Sequence, residues 1–246
     1  MTGRPVRDVG SQDESWRAAQ APEERKRVRS AAIFRGVPRE VLAQALHGAL
    51  VRSHRRLEVL HEEGDPAECC AVVLSGRVRV FRVASDGRKL VIAHVLAGGV
   101  YGEWGLYGHA TQRDSAQVAE DVRVVAFSVG ALAPLFRTDP RLVRALAVHA
   151  ADRRLDAESR IVAMLYTVVR SRLAAFLLDA ARRDGVAEAR GTAIRSRYSH
   201  FEIACTVGAT RETITLALSE MRRRGLLVIE RRRLIVRDLP KLRSLV

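Results

Sequence analysis

The chain has 246 residues, 48% apolar and 28% charged, and its 42 Lys and Arg outnumber 28 Asp and Glu for a net charge of +14. Enough apolar residues are present to build the cores of a soluble two-domain protein, while no apolar run approaches the about 20 residues of a membrane helix. The N-terminus has no hydrophobic signal core, and Cys69, Cys70 and Cys205 imply no disulfide framework, so a reducing, cytoplasmic setting without a membrane is expected.

In chain order, residues 1–30 mix both charges with two prolines and few large apolar groups, which predicts a flexible or loosely docked extension. Ala31 to Leu50 reads as one or two short helices, with Pro38 opening the second and Val41, Leu42, Ala45 and Leu46 on its buried side. From Arg52 to about Val129 the pattern becomes strand-like: Val78 and Val80 alternate with Arg77 and Arg79, and Asp86-Gly87 signals a hairpin. This predicts an all-β roll. Within it, GGVYGEWGLYG carries five glycines in 11 residues with Glu103 at its centre. Free N–H groups in such a turn could cradle a phosphate, although the stretch matches neither the G-x-G-x-x-G fingerprint nor a Walker sequence.

After Leu132 the period is helical again, with Asp139 as N-cap and Pro140 at the first helical position. Val148, Ala151, Leu155, Glu158, Val162, Leu165 and Val169 step by three and four, the spacing of a coiled-coil seam. A long helix with one apolar stripe is best buried against its own copy, which predicts a homodimer. Glu158 interrupts the stripe, as a register device, an exposed edge residue, or a polar group reaching a ligand beside the dimer axis. A further helix, Ser171 to Arg183, leads to a polar loop around Gly185 and Gly191.

The stretch Ser199 to Arg224 reads as two short helices separated by Gly208. Ser199 and Glu202 form a capping box, and Phe201, Ile203, Ala204 and Val207 face a core. Thr210 caps the second helix, whose Ile214, Ala217, Leu218 and Met221 face inward. Its other face carries Arg211, Glu212, Thr215 and Leu216 and ends in Arg222, Arg223 and Arg224. This is the profile of a helix-turn-helix whose second helix meets base edges with its first turn. LLVIERRRLIV then predicts two strands around a basic turn containing Arg232, the wing. From Arg195 to the end, 12 Lys and Arg face 5 Asp and Glu, so half the net charge lies in the last 52 residues and DNA is the expected polyanion.

This order of β-roll, long helix and winged helix-turn-helix resembles the CRP/FNR regulators over roughly residues 31 to 240. Three motifs carry the resemblance: GRVRVFRVASDGRKLVIAHVLAGGVYGE, YGEWGLYG with QRDSAQV after it, and HFEIACTVGATRETITLALSEMRRRGLL. It implies an α+β fold: a flexible extension (1–30), a cyclic-nucleotide-binding-like β-roll or jelly roll (31–136), a dimerisation helix (137–169) and a winged helix-turn-helix (170–246). A homodimer on a palindromic double-stranded operator is implied, with RNA polymerase as a further partner. The pocket would comprise Gly102, Glu103, Trp104, Arg113, Asp114, Ser115 and Glu158. Gly102 and Glu103 match a turn amide and a ribose-binding carboxylate, and Ser115 matches a phosphate-contacting serine. Asp114 stands where the family pattern has an arginine for the cyclic phosphate, with Arg113 one position earlier, and Ala157 and Glu158 replace small hydroxyl residues near the adenine. A degenerate pocket that binds cyclic AMP weakly is therefore expected, and no other cofactor. For DNA, the resemblance makes Arg211 and Glu212 base readers, with Leu216 in place of a second reading arginine. Ser199, Thr210, Thr215, Arg222 and Arg232 complete the expected contact set.

One alternative is a DNA-binding redox or nitric-oxide sensor that uses Cys69, Cys70 or Cys205, although three thiols cannot supply a four-cysteine cluster within one chain. An enzyme is not expected, since G-x-S-x-G, H-E-x-x-H and a phosphate loop ending in Lys-Ser/Thr do not occur.

Overall fold

A computed structural model describes residues 14–15, 22–85, 87–230 and 233–246. Most of the expected extension, Asp86 of the hairpin signal, and Arg231 and Arg232 at the wing tip lie outside the described residues. Two compact units result. The first comprises the residues to Arg82 with His94–Arg153, and the second Val83–Ala93 with Arg154–Val246.

The elements leading into the roll are β1 (Glu14–Ser15), α1 (Pro22–Ser30), a 3-10 turn at Ala32–Phe34 and α2 (Arg39–Ala45). They are followed by β2 (Leu50–His54), β3 (Val59–His61), β4 (Cys69–Val83), β5 (Lys89–Val95), β6 (Val100–Tyr101) and β7 (Ser115–Ser128). The strands form one sheet in the order β1-β2-β7-β4-β5, with β3 also on β7 and β6 on β4. The long β4–β7 ladder runs antiparallel from Cys69 opposite Ser128 to Phe81 opposite Ser115, with register shifts between Val73 and Val78. Alternate residues Val72, Leu74, Val125 and Phe127 point into a core that also takes Ile33, Phe34, Leu132 and Leu142. The rings of Phe34 and Phe127 lie 5.4 Å apart there.

The expectation for residues 1–30 does not hold for their last nine. Residues 22–30 form α1, Val28 is wholly buried in the roll core, and the Arg27 guanidinium donates to the Leu74 carbonyl. Glu24, also buried, pairs with Arg123 of β7. One apolar side chain in a charged helix carries little periodicity, so only the packed roll reveals the docking.

Helices α3 (Val129–Thr138) and α4 (Pro140–Tyr166) follow. Asp139 begins α4 as expected: its Oδ1 accepts from Arg141 N at 2.9 Å. The helix ends at Tyr166, and extended Val168 precedes α5 (Val169–Asp184), so Val169 belongs to the next helix rather than to the seam. Val148, Leu155 and Val162 of the seam are 44%, 59% and 56% exposed, and the side chain of Leu165 lies outside the description.

The second unit continues with β8 (Gly185–Glu188), β9 (Gly191–Ile194), α6 (His200–Val207), α7 (Arg211–Arg223), β10 (Leu227–Glu230), β11 (Arg233–Val236) and α8 (Leu239–Arg243). The expected polar loop is instead the hairpin β8–β9. Its residues are too few and too polar to alternate visibly, but β9 finds a partner in β11 and a four-stranded sheet β10-β11-β9-β8 forms. Leu173, Leu177, Ile203, Ile214, Leu218 and Met221 make the core beneath it. Phe201 departs from the expected inward face and is 47% exposed, while Ile203, Ala204 and Val207 are buried in the core.

Candidate DNA-reading surface and effector pocket

The helix-turn-helix is assembled by local hydrogen bonds that the sequence encodes. Ser199 Oγ accepts from Glu202 N at 3.2 Å and donates to its carboxylate at 2.8 Å, while Ser199 N also donates to Glu202, completing the capping box. Gly208 ends α6 with φ 70°. Thr210 Oγ1 accepts from Thr213 N at 3.2 Å and starts α7. Ile214, Leu218 and Met221 are buried, and the opposite face presents exposed Arg211, Glu212, Arg222 and Arg223. Leu216, on that face, is 72% exposed. Thr215 is held from two sides: its hydroxyl donates to the Arg211 carbonyl at 2.8 Å and lies 2.9 Å from His200 Nδ1. With its one proton committed, Thr215 accepts from His200, which fixes the Nδ1–H tautomer. Sequence reading missed His200, whose role depends on a contact between two helices.

The glycine-rich turn closes against the roll. Gly102 has φ 75°, and a Cβ there would lie 2.9 Å from the Cys69 carbonyl, so only glycine fits. Glu103 follows in a 3-10 turn over Glu103–Tyr107 and is buried. His149 Nε2 lies 3.2 Å from its carboxylate and Arg153 Nη1 3.5 Å away. Asp114, equally buried, accepts from Trp104 Nε1 at 2.9 Å, lies 3.2 Å from His61 Nε2, and has Arg153 Nη2 at 3.9 Å. Arg153 thus stands between two buried carboxylates. Ser115 Oγ accepts from Glu63 N at 3.0 Å, and Arg113, one residue from Asp114, is exposed.

Of the expected pocket residues, Trp104 bonds to Asp114 and Arg153 links Asp114 to Glu103, with Gly102 at the turn, whereas the Ser115 hydroxyl is taken by Glu63 N. Arg113 points away from Asp114, as neighbours on a strand approach must. Glu158 lies in the second unit and is bound by Arg154 Nε at 2.7 Å. Arg153, His149 and His61 were not singled out from sequence. The spacing of His149 and Arg153, four apart on one helix face, was the available signal.

Of the adjacent cysteines, Cys69 is exposed and Cys70 buried. Burial pushes the Cys70 thiol well above its ordinary value, and burial also raises Cys69, against the opposing charge of Arg52. Cys205 is half-buried on α6. Among the described residues no cluster of His, Cys, Asp and Glu could hold a metal ion, and no helix is long and apolar enough to cross a membrane.

Comparison with known proteins agrees with this architecture. The cyclic nucleotide-binding domain matches residues 51–139 and the Crp-like helix-turn-helix domain residues 171–245. The chain is 32% identical over 192 residues to transcriptional regulator LdrP of Thermus thermophilus, covering 76% of this chain and 92% of that protein. It is 27% identical over 212 residues to a CRP-like cAMP-activated global transcriptional regulator of Mycobacterium tuberculosis, covering 86% and 95% of the two. The structure of FixK2 from Bradyrhizobium japonicum superimposes with a TM-score of 0.72 at 29% identity, over 80% of this chain and 96% of that one. A roll and a helix-turn-helix in this order, and full-length relatives at this identity, have one reading: the chain belongs to the CRP/FNR family of DNA-binding transcription regulators.

Proposed function

We propose that the chain is a homodimeric, sequence-specific regulator of the cytoplasm whose effector pocket is filled by its own charged groups and takes cyclic AMP only weakly. One observation carries this reading: buried Asp114, held by Trp104 and His61 and facing Arg153, occupies the position that the family pattern gives to a phosphate-pairing arginine. A phosphate oxygen brought within about 4 Å of that carboxylate meets roughly 4 kcal/mol of repulsion at an effective dielectric of 20. One charge-assisted hydrogen bond returns only about 1.5–3 kcal/mol. The partly exposed guanidinium of Arg153 is already engaged by two carboxylates, so an incoming phosphate competes for it rather than finding it free. Gly102, Glu103, Trp104 and Ser115 keep the framework of a nucleotide site, and the Mycobacterium tuberculosis relative is named as cAMP-activated. In this chain the charge at position 114 outweighs that framework.

At the DNA end, Arg211 reads a guanine through O6 and N7, Glu212 accepts from a cytosine amino group, and Leu216 covers a thymine methyl. Thr215 supports Arg211 from the same face, and Arg222 and the wing arginines, Arg232 among them, meet phosphates. Ser199 and Thr210 contribute as caps that set the helices, since their hydroxyls are committed within the motif. The exposed stripe of α4 supports the dimer, in which two copies of α7 read the halves of a palindrome.

Calorimetry tests the pocket. The native protein should give no heat with micromolar cyclic AMP, and Asp114→Asn, which removes one charge and frees Arg153, should bind it measurably. Micromolar affinity in the native protein that disappears in Arg113→Ala would overturn the reading, because Arg113 would then have taken over the phosphate.

A further inference from the structure

Arg172, in the first turn of α5, uses all three guanidinium nitrogens on main-chain carbonyls from two different joints. Nε donates to the Val207 carbonyl at 2.9 Å and Nη2 to the Gly208 carbonyl at 3.2 Å, both at the end of α6 where it turns toward α7. Nη1 donates to the Thr167 carbonyl, in the break between α4 and α5. The last carbonyls of a helix have no partner within it and carry the negative end of its dipole, so a fixed cation there is favourable. A C-cap alone would account for the first two bonds and leaves the third unexplained.

One further contact repeats the link, and a second ties α5 to α7. Met164, in the last turn of α4, lies against Gly208 closely enough that a Cβ there would come within 2.9 Å of its Cε. Arg170 Nη1 of α5 stands 3.9 Å from Glu220 of α7. The other bonds described at the break are local: Thr167 N and Oγ1 donate to the Ala163 carbonyl, and Ser171 N and Arg172 N to that of Val168.

We propose that Arg172 is a positioning residue: it locks the turn before the recognition helix to the end of the long helix, and so sets which half-site spacing the dimer accepts. The proposal rests on the homodimer reading above. If α4 lies on the dimer axis, the direction of α7 relative to the end of α4 fixes the distance between the two recognition helices. A guanidinium does this better than an ammonium because its donors are rigid and planar, whereas lysine offers one point of attachment.

The test measures binding of the full-length protein to palindromic duplexes whose half-sites are separated by the best spacing and by one and two base pairs either side. A duplex with a single half-site serves as control, and melting and ultracentrifugation of each variant accompany it. The native protein should show a sharp optimum. Arg172→Gln should remain dimeric and lose about tenfold at that optimum, the effect of losing charge-assisted bonds. At the neighbouring spacings and on the single half-site it should change less than threefold, so that the spacing profile flattens. Arg172→Lys, which keeps the charge and the fold, should flatten it partially and stands in if the glutamine variant fails to fold. An equal loss on every duplex, the single half-site included, would make Arg172 a local cap and overturn the proposal. So would a native-like optimum in both variants. A native protein that is monomeric or indifferent to spacing would instead refute the dimer reading, and the proposal with it.

Discussion

At the scale of single residues, α7 separates exposed side chains from ones held by their neighbours. Arg211 is exposed at the first turn of α7, and its backbone carbonyl is bonded by Thr215, so its side chain leaves from a fixed base. Arg211→Ala should cost about 1–3 kcal/mol on the specific half-site and leave random duplexes almost unchanged, as competition binding can measure. Equal loss on both kinds of duplex would remove Arg211 from the readers. The two thiols of β4 differ in access, Cys70 buried and Cys69 exposed. Both Cys69 and Cys70 have their ionisation pushed up, chiefly by burial. A raised folded-state value stabilises the fold below the ordinary thiol range, and that contribution is lost as pH rises through the folded value. In a Cys205→Ser background, iodoacetamide should therefore modify the native protein more slowly than the unfolded chain at pH 7, and stability should fall above about pH 9. Rapid native modification at pH 7 that also abolished DNA binding would favour a thiol-responsive regulator.

At the scale of elements, the two helices of the DNA-binding motif owe their start points to side-chain caps and their packing to the core below. Ser199→Ala removes one bond to Glu202 N and the hydroxyl that donates to its carboxylate, and should cost about 1 kcal/mol, visible as a lowered melting temperature. Because that hydroxyl is committed within the capping box, specific DNA affinity measured well below the melting temperature should stay within about twofold. A much larger loss of affinity without loss of stability would make Ser199 a phosphate contact instead. Helix α1 shows the reverse balance between local signal and packing. Its charged sequence has little pattern, yet Val28 and the Glu24–Arg123 pair fasten it to the roll.

At the scale of the whole molecule, charge and the uncovered face of α4 point to assembly on DNA. Leu155→Asp puts a charge in the middle of the exposed stripe and should yield monomers with little palindrome binding, as ultracentrifugation and titration would report. A monodisperse dimer of that variant would remove the stripe from the interface. The salt dependence of binding reports phosphate contacts separately. Arg222→Ala should weaken all sequences alike and reduce the slope of log K against log salt by about 1.

The sequence by itself determined the elements whose signals are local. The capping box of Ser199 and Glu202, the Gly208 stop, the Asp139-Pro140 start and the strand through Val78 and Val80 each depend on neighbours a few residues away, although Arg77 and Arg79 of that strand are buried like the valines between them. It also showed a carboxylate, Asp114, where the resemblance implies an arginine, since that needs only the residue type at a motif position. Tertiary structure alone decided what that carboxylate does. His61, Trp104 and Arg153 reach it from sequence separations of 53, 10 and 39 residues, distances over which no periodicity operates. The same reason hid the docking of α1, the strand role of Gly191–Ile194 beside β11, and the three carbonyls gathered by Arg172. Main-chain acceptors and strand partners leave no trace in residue type, and they are paired only once the chain has closed on itself.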